Sequence, residues 1–358
     1  MVVCLTVSCT HNKTSLSIGP GVVSLSSPQD VIVEMTGETY DKLETILQQI
    51  ADERIYLWDL VVGIVCYDMS GELLFQLNAR GQGPGEYTDI NAFAVNASLH
   101  QLVIYDNMKQ SLMFYSTEDG RFVKSEKFNK PTPAEIAYWG GYFFYHNRLH
   151  RNYQDDISLH YYLLASKDGI TIGKRYFKHE NNKEDYPFSP SGHNLYDNNS
   201  KLYYCRDFDN IVYQIHEDSV VPRFRINLPN PLPASMIEER PNEMSLLRSG
   251  YSLGITDIYE YGGLLFFRFV KDGYIWSCLY NVEESKQVYC AKRIKFLDSS
   301  LIDTIDGIYK DCFYSILTPE YLDYAFSENP LEDYPDLFKT YDVEGDNPVI
   351  AFYRAVVR

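Results

Sequence analysis

Short apolar runs, each closed by a polar turn, fill most of this chain. Residues 53–77 read ERIYLWDLVVGIVCYDMSGELLFQL. An apolar segment ends at Asp59, a second ends near Asp68, and Ser70-Gly71 turns the chain into a third. Runs of about 4–8 residues rich in Tyr, Phe, Val and Ile, bounded by Gly, Asp, Asn and Ser, predict strands joined by hairpins. The same grammar returns at residues 101–128, QLVIYDNMKQSLMFYSTEDGRFVKSEKF, where Asp106 matches Asp59 and Asp119-Gly120 matches Ser70-Gly71. The offset between the two aspartates is about 47 residues, which suits a four-stranded repeat unit. Looser copies follow at 140–177, 200–228 and 262–296, and a sixth begins at 305–317.

Six units of roughly 50 residues predict an all-β fold, a six-bladed β-propeller of four-stranded antiparallel blades. A lone blade leaves both sheet faces wet, and stacking blades about an axis buries them. The terminal runs VIVEM (31–35) and VIAFYRAVV (349–357) are expected to share one blade and fasten the ring. Two segments break the strand pattern. Tyr40, Leu43, Ile46, Leu47 and Ile50 have helical spacing, and residues 229–248 read as an inserted loop with a helix.

Residues 1–9, MVVCLTVSC, run apolar into small residues before a cysteine, and a polar segment follows. Leu5-Thr6-Val7-Ser8-Cys9 resembles the lipobox of bacterial lipoproteins, which makes Cys9 the expected lipidation site. Thr6 departs from the usual leucine, and no basic segment precedes the run, so the true start is expected to lie upstream or to have been trimmed. The domain reading is thus a signal segment at 1–9, a tether at 10–30, and a single propeller over 31–358. No stretch reaches the roughly 18 apolar residues of a spanning helix, so the lipid is the only expected membrane attachment.

Composition narrows the partners. The net charge is −17 with a pI of about 4.9 and no Lys/Arg run, which argues against nucleic acid. The 31 Tyr and 19 Phe first serve strands. Cys66, Cys205, Cys278, Cys290 and Cys312 would remain in the mature chain, none spaced as CxxC, so buried thiols are expected and a Cys278–Cys290 hairpin bridge stays open.

Residues 79–122 carry a GxGPGE-aromatic linker, a strand, an Asp-Asn turn, an apolar strand and a Gly turn. This looks like an NHL-type repeat. The whole chain resembles the six-bladed β-propeller lipoproteins of gut bacteria, on the lipobox, GQGPGEY (81–87), DNIVYQI (209–215) with the following RFRINLPNPLP, and the NPVIAFYR terminus. The resemblance implies a cell-envelope protein, held by its lipid in the periplasm or at the outer-membrane surface.

Candidate chemistry is sparse. GQGPGEY lacks the Lys-Ser/Thr and the following helix of a phosphate loop, so its glycines and Pro84 read as a stiff crossing between blades. HNRLHR (146–151) lacks the glutamate of a zinc helix and reads as a solvated loop. No DxDxDG loop, nucleophile elbow or Cys-His pair is present, so no metal, cofactor or catalytic residue is assigned. Carboxylate pairs such as Asp303/Asp306 are expected by chance in so acidic a chain. The expected function is a monomeric binding scaffold for an envelope protein or a glycan. Arg80, Gln82, Glu86, Tyr87, Trp139, His146 and Arg148 are placed at a channel mouth. The alternative is a propeller enzyme, a glycan hydrolase or lyase, with carboxylates at that mouth.

Overall fold

The computed structural model describes residues 14–17, 30–34, 45–128, 132–147, 157–178, 192–239, 241–292, 305–310, 312–328, 342 and 348–353. Its strands form six sheets, each built on four strands in antiparallel order, and one of the sheets carries a fifth strand. This is the six-bladed β-propeller read from the repeats. The chain divides into two compact units of three sheets each, Met35–Asp185 and Met1–Glu34 with Tyr186–Arg358.

In the Met35–Asp185 unit the first sheet runs Thr45–Ala51, Arg54–Asp59, Gly63–Asp68 and Leu73–Leu77. The second runs Ala92–Asn96, Gln101–Asp106, Ser111–Ser116 and Phe122–Lys127. The third runs Pro133–Trp139, Tyr142–Asn147, Tyr161–Ser166 and Lys174–Lys178. Alternation along the strands explains the packing. Leu102 and Ile104 join the core that the second sheet shares with the first, whereas Val103 and Tyr105 join the core shared with the third. Successive side chains leave a strand on opposite faces, so a sheet flanked on both sides reads as an unbroken apolar run. The aromatic surplus goes here: Tyr56, Tyr67, Tyr105, Tyr115 and Tyr145 are among the largest fully buried side chains.

The repeated aspartates are turn caps. Asp59 Oδ1 accepts from the amides of Val61 and Val62 at 2.6 and 2.8 Å. Asp106 does the same for Lys109 N at 2.9 Å and also accepts from Thr88 N at 2.6 Å. A short carboxylate can mimic the backbone acceptor that a tight turn needs, which is why the motif recurs at equal places.

The other unit holds three sheets that begin with Leu195–Asn198, Ser252–Tyr261 and Gly307–Tyr309. Its last sheet is completed by Val349–Tyr353 and by Asp30–Glu34 from the other end of the chain, paired antiparallel from Asp30↔Tyr353 to Glu34↔Val349. The terminal strands therefore share a blade, as their sequence suggested. Two short helices, Ala234–Glu238 and Glu243–Leu247, occupy the inserted segment.

Three expectations need revision. The helical spacing around residues 40–50 ends in a strand, Thr45–Ala51, paired as Gln49↔Tyr56 and Ile50↔Ile55. A short apolar run satisfies either periodicity, and the Asp52-Glu53 turn, with both residues at positive φ, folds it back as a hairpin. Within the stretch read as a tether, Thr14–Ser17 adds a parallel strand to Val220–Asn227. His146 is the third correction: it lies inside the strand Tyr142–Asn147, buried, and not in a solvated loop.

Candidate functional site

The GQGPGEY segment is a folded loop whose polar groups are spent on itself. Gly81 N donates to Tyr87 O at 2.9 Å and Tyr87 N donates to Ala79 O at 2.8 Å. Glu86 turns its carboxylate inward and accepts from Gly83 N at 2.7 Å. Glycine is required for this arrangement, because a Cβ on Gly81 would sit 2.0 Å from Glu86 Oε2. Lys109 Nζ donates to Glu86 O at 2.6 Å, and Tyr115 OH donates to Gly85 O at 3.0 Å. A phosphate cradle needs free amides, and those of Gly81 and Gly83 are engaged.

The seven expected mouth residues do not form one group. Tyr87 is fully buried and its hydroxyl donates to Leu77 O at 3.3 Å, so it is a core residue. Arg80 and Gln82 are exposed, and the Arg80 guanidinium donates to Leu60 O. Trp139 pairs with Tyr142 at the turn of its hairpin, whereas His146 pairs with Glu135 further along. Four residues of strand place those two ends about 13 Å apart, so Trp139 and His146 do not share a mouth. Arg148 and Cys9 lie outside the described residues.

Arg80 and Lys109 anchor the loop to the Leu60–Val62 turn on one side and the Asp106–Gln110 turn on the other. The tips of those turns are apolar and open: Leu60, Val61 and Met108 are 47, 75 and 71 % exposed. This surface combines rigid backbone with unspent apolar side chains.

The Tyr186–Arg358 part of the second unit holds a polar cluster that includes none of the seven expected mouth residues. The first strands of its three sheets converge. Tyr196 OH lies 3.3 Å from Thr256 Oγ1, which donates to Asp257 Oδ2 at 2.9 Å, and Arg268 Nε donates to the same oxygen at 2.7 Å. Asp257 adopts a left-handed φ of 53° within the register shift between Thr256 and Tyr259. The bulge turns a side chain that simple alternation would place elsewhere. Asp306 accepts from Ile316 N at 2.8 Å through its carboxylate and from Tyr259 OH at 2.9 Å through its carbonyl. Gly307 leaves the room that the Tyr314 ring fills, since a Cβ there would meet it at 2.3 Å.

Asp197 stands at this convergence. Asp197 is an exposed residue, and the protein mass crowded around its carboxyl pushes it up to about 7 against the pull of the Asn199 amide. The negative charges of Asp306 and Asp197 add to burial in raising the Tyr314 phenol. Folded Asp197 thus holds its proton between about pH 4 and 7, where the unfolded chain has lost it. The folded state binds more protons across that window, so stability falls as pH rises through it. Asp197→Asn should flatten the slope of unfolding free energy between pH 4 and 7, read by urea titration at each pH. An unchanged slope would mean the carboxyl titrates normally. Among the described residues no group of three His, Cys, Asp or Glu side chains converges to hold a metal ion.

Six four-stranded antiparallel sheets, with turn-capping aspartates and apolar faces on both sides, define a β-propeller. The chain belongs to the family described as Domain of unknown function (DUF4934), whose model matches residues 45–354. Among solved structures it is similar to a Bacteroides fragilis protein inferred to be exported, at 16% identity and a TM-score of 0.77, over 96% of this chain and 99% of that one. It is also similar to a member of the DUF4221 family from Bacteroides vulgatus, at 11% identity and a TM-score of 0.59, over 94% of this chain and 99% of that one. At these identities the likeness establishes the fold alone. No curated protein matches the chain in sequence.

Proposed function

We propose that this chain is an envelope binding scaffold, exported, tethered through a lipid on Cys9, and engaging a protein partner through the GQGPGEY face. The observation that carries the reading is the open apolar tips of Leu60, Val61 and Met108 beside a loop held by hydrogen bonds of Gly81, Gly83, Glu86 and Tyr87. A rigid surface loses little conformational entropy on association, and exposed apolar side chains supply the gain on burial. A Bacteroides fragilis protein of the same fold, inferred to be exported, supports the location, as does the lipobox-like segment. No helix among the described residues is long and apolar enough to cross a membrane.

The test is a pull-down from detergent-solubilised envelope with the wild-type chain and with the Val61→Asp/Met108→Asp double variant, beside a glycan array. Both positions are exposed, so the variant should unfold at the wild-type urea midpoint. Capture of a stoichiometric partner by the wild type alone is the expected result. Equal capture by both chains would move the interface elsewhere, and a sugar hit would replace the protein partner with a glycan.

A second reading, a glycan hydrolase or lyase, is favoured by one observation only. Asp197 can hold a proton near neutrality, and its charge and that of Asp306 both act on the Tyr314 phenol. Turnover of any glycan that is abolished by Asp197→Asn would establish it.

A further inference from the structure

Cys278 and Cys290 face each other directly across the hairpin formed by Tyr274–Asn281 and Lys286–Ala291. Directly opposed residues in an antiparallel pair have Cα atoms about 4.5–5.5 Å apart, within the span a disulfide requires. Both side chains are buried in the same apolar core, and Cys290 adds to burial in raising the Cys278 thiol. The other described cysteines stand opposite residues of other types in their ladders. Cys66 stands opposite Tyr56 and Phe75, Cys205 opposite Val212, and Cys312 opposite Tyr309. Register, not proximity in sequence, therefore singles out this pair.

We propose that Cys278 and Cys290 are a modification site that closes into a cross-strand disulfide by exchange with a disulfide donor. One thiolate attacks the donor's disulfide and forms a mixed disulfide. The second thiolate then displaces the donor's remaining sulfur, forming the Cys278–Cys290 bond. Two protons and two electrons leave the cysteines, and the donor departs as a dithiol. Burial pushes the Cys278 thiol up, so the attacking thiolate is scarce in the folded chain. Exchange accordingly takes place while the hairpin is open, during folding or transient local unfolding. Once closed, the bond spans a loop of about 13 residues and sits where only unfolding can expose it to reductant.

The pairing depends on register alone and is independent of the binding reading. The full chain is unfolded in denaturant with reductant, then refolded in a buffer of oxidised and reduced glutathione, and its cysteines are mapped by alkylation and peptide mass spectrometry. The expected product carries a 278–290 cross-linked peptide as its main species, with Cys66, Cys205 and Cys312 alkylated. Its Tm should exceed that of the reduced chain by about 3–6 °C. Cys278→Ser should abolish that difference, and Cys66→Ser should keep it. Alkylated Cys278 and Cys290 in the refolded wild type, or a cross-link from either to another cysteine, would overturn the proposal, and this mapping needs no variant to fold.

Discussion

Gly63→Ala should destabilise the chain by about 3–4 kcal/mol, among the larger effects available to a single methyl group. Gly63 opens the strand Gly63–Asp68 at a φ of 86°, a conformation that side chains rarely adopt. A Cβ there would lie 2.3 Å from Leu77 O and 2.6 Å from Tyr87 OH. The first of these is backbone in the neighbouring strand and has no rotamer to give. The second belongs to a fully buried ring whose hydroxyl is committed to the same carbonyl. Relief would have to come from the sheet edge and the GQGPGEY loop together. Gly141 provides the comparison, with a similar φ of 81° but nothing within 4 Å of its would-be Cβ. Gly141→Ala should therefore cost only the conformational penalty, about 1 kcal/mol. Urea unfolding of both variants separates the two contributions. Equal losses would mean that the crowding around Gly63 relaxes freely.

The same loop shows what the sequence could and could not disclose. Turn chemistry was legible because it is local. Asp59 and Asp106 cap amides within three residues of themselves, so the repeat in the letters is a repeat in hydrogen bonds. The glycine-rich linker was legible as structure for the same reason. The direction of its side chains was not, because Glu86 could equally have pointed outward. Only the cleft that Gly81 and Gly83 leave open turns it inward. Tyr87 failed as a surface residue since an aromatic after a turn reads the same whether it caps a core or faces a ligand.

The second unit is harder to read, for reasons of topology. Asp197, Asp257 and Asp306 are more than 45 residues apart from one another in the chain, and three converging strands bring them together. Asp306 was visible in a pair that an acidic composition makes unremarkable. Asp257 carried a faint signal, since Thr256-Asp257 interrupts the alternation of an otherwise apolar strand, as a bulge does. Thr14–Ser17 carried none, because a short polar edge strand is indistinguishable from a tether until its partner is known.

Glu260→Gln should cost about 2–4 kcal/mol at neutral pH, and the loss should vanish in acid. Three groups from the adjoining sheet converge on this carboxylate. Lys201 Nζ donates to Oε2 at 2.9 Å, Arg223 donates to Oε1 at 3.0 Å, and Tyr203 OH donates to Oε2. The Glu260 side chain is only 9% exposed, so the amide would leave two cations facing each other without a counter-charge. Burial by itself raises this carboxyl, but the Tyr203 hydroxyl, Lys201 and Arg223 outweigh it and hold it below the usual glutamate range. A depressed folded pKa adds stability above the unfolded value, near 4.3, and that stability is lost as pH falls through the folded value. The difference between wild type and variant should hold steady from pH 7 to about 5 and shrink below about 4. Asp197 slopes the other way, losing stability as pH rises from about 4 to 7, so the two groups together favour mildly acidic conditions. In the Asp197→Asn/Glu260→Gln double variant both slopes should be gone. Unfolding free energies that still fall in acid by the wild-type amount would assign the acid sensitivity to other carboxylates.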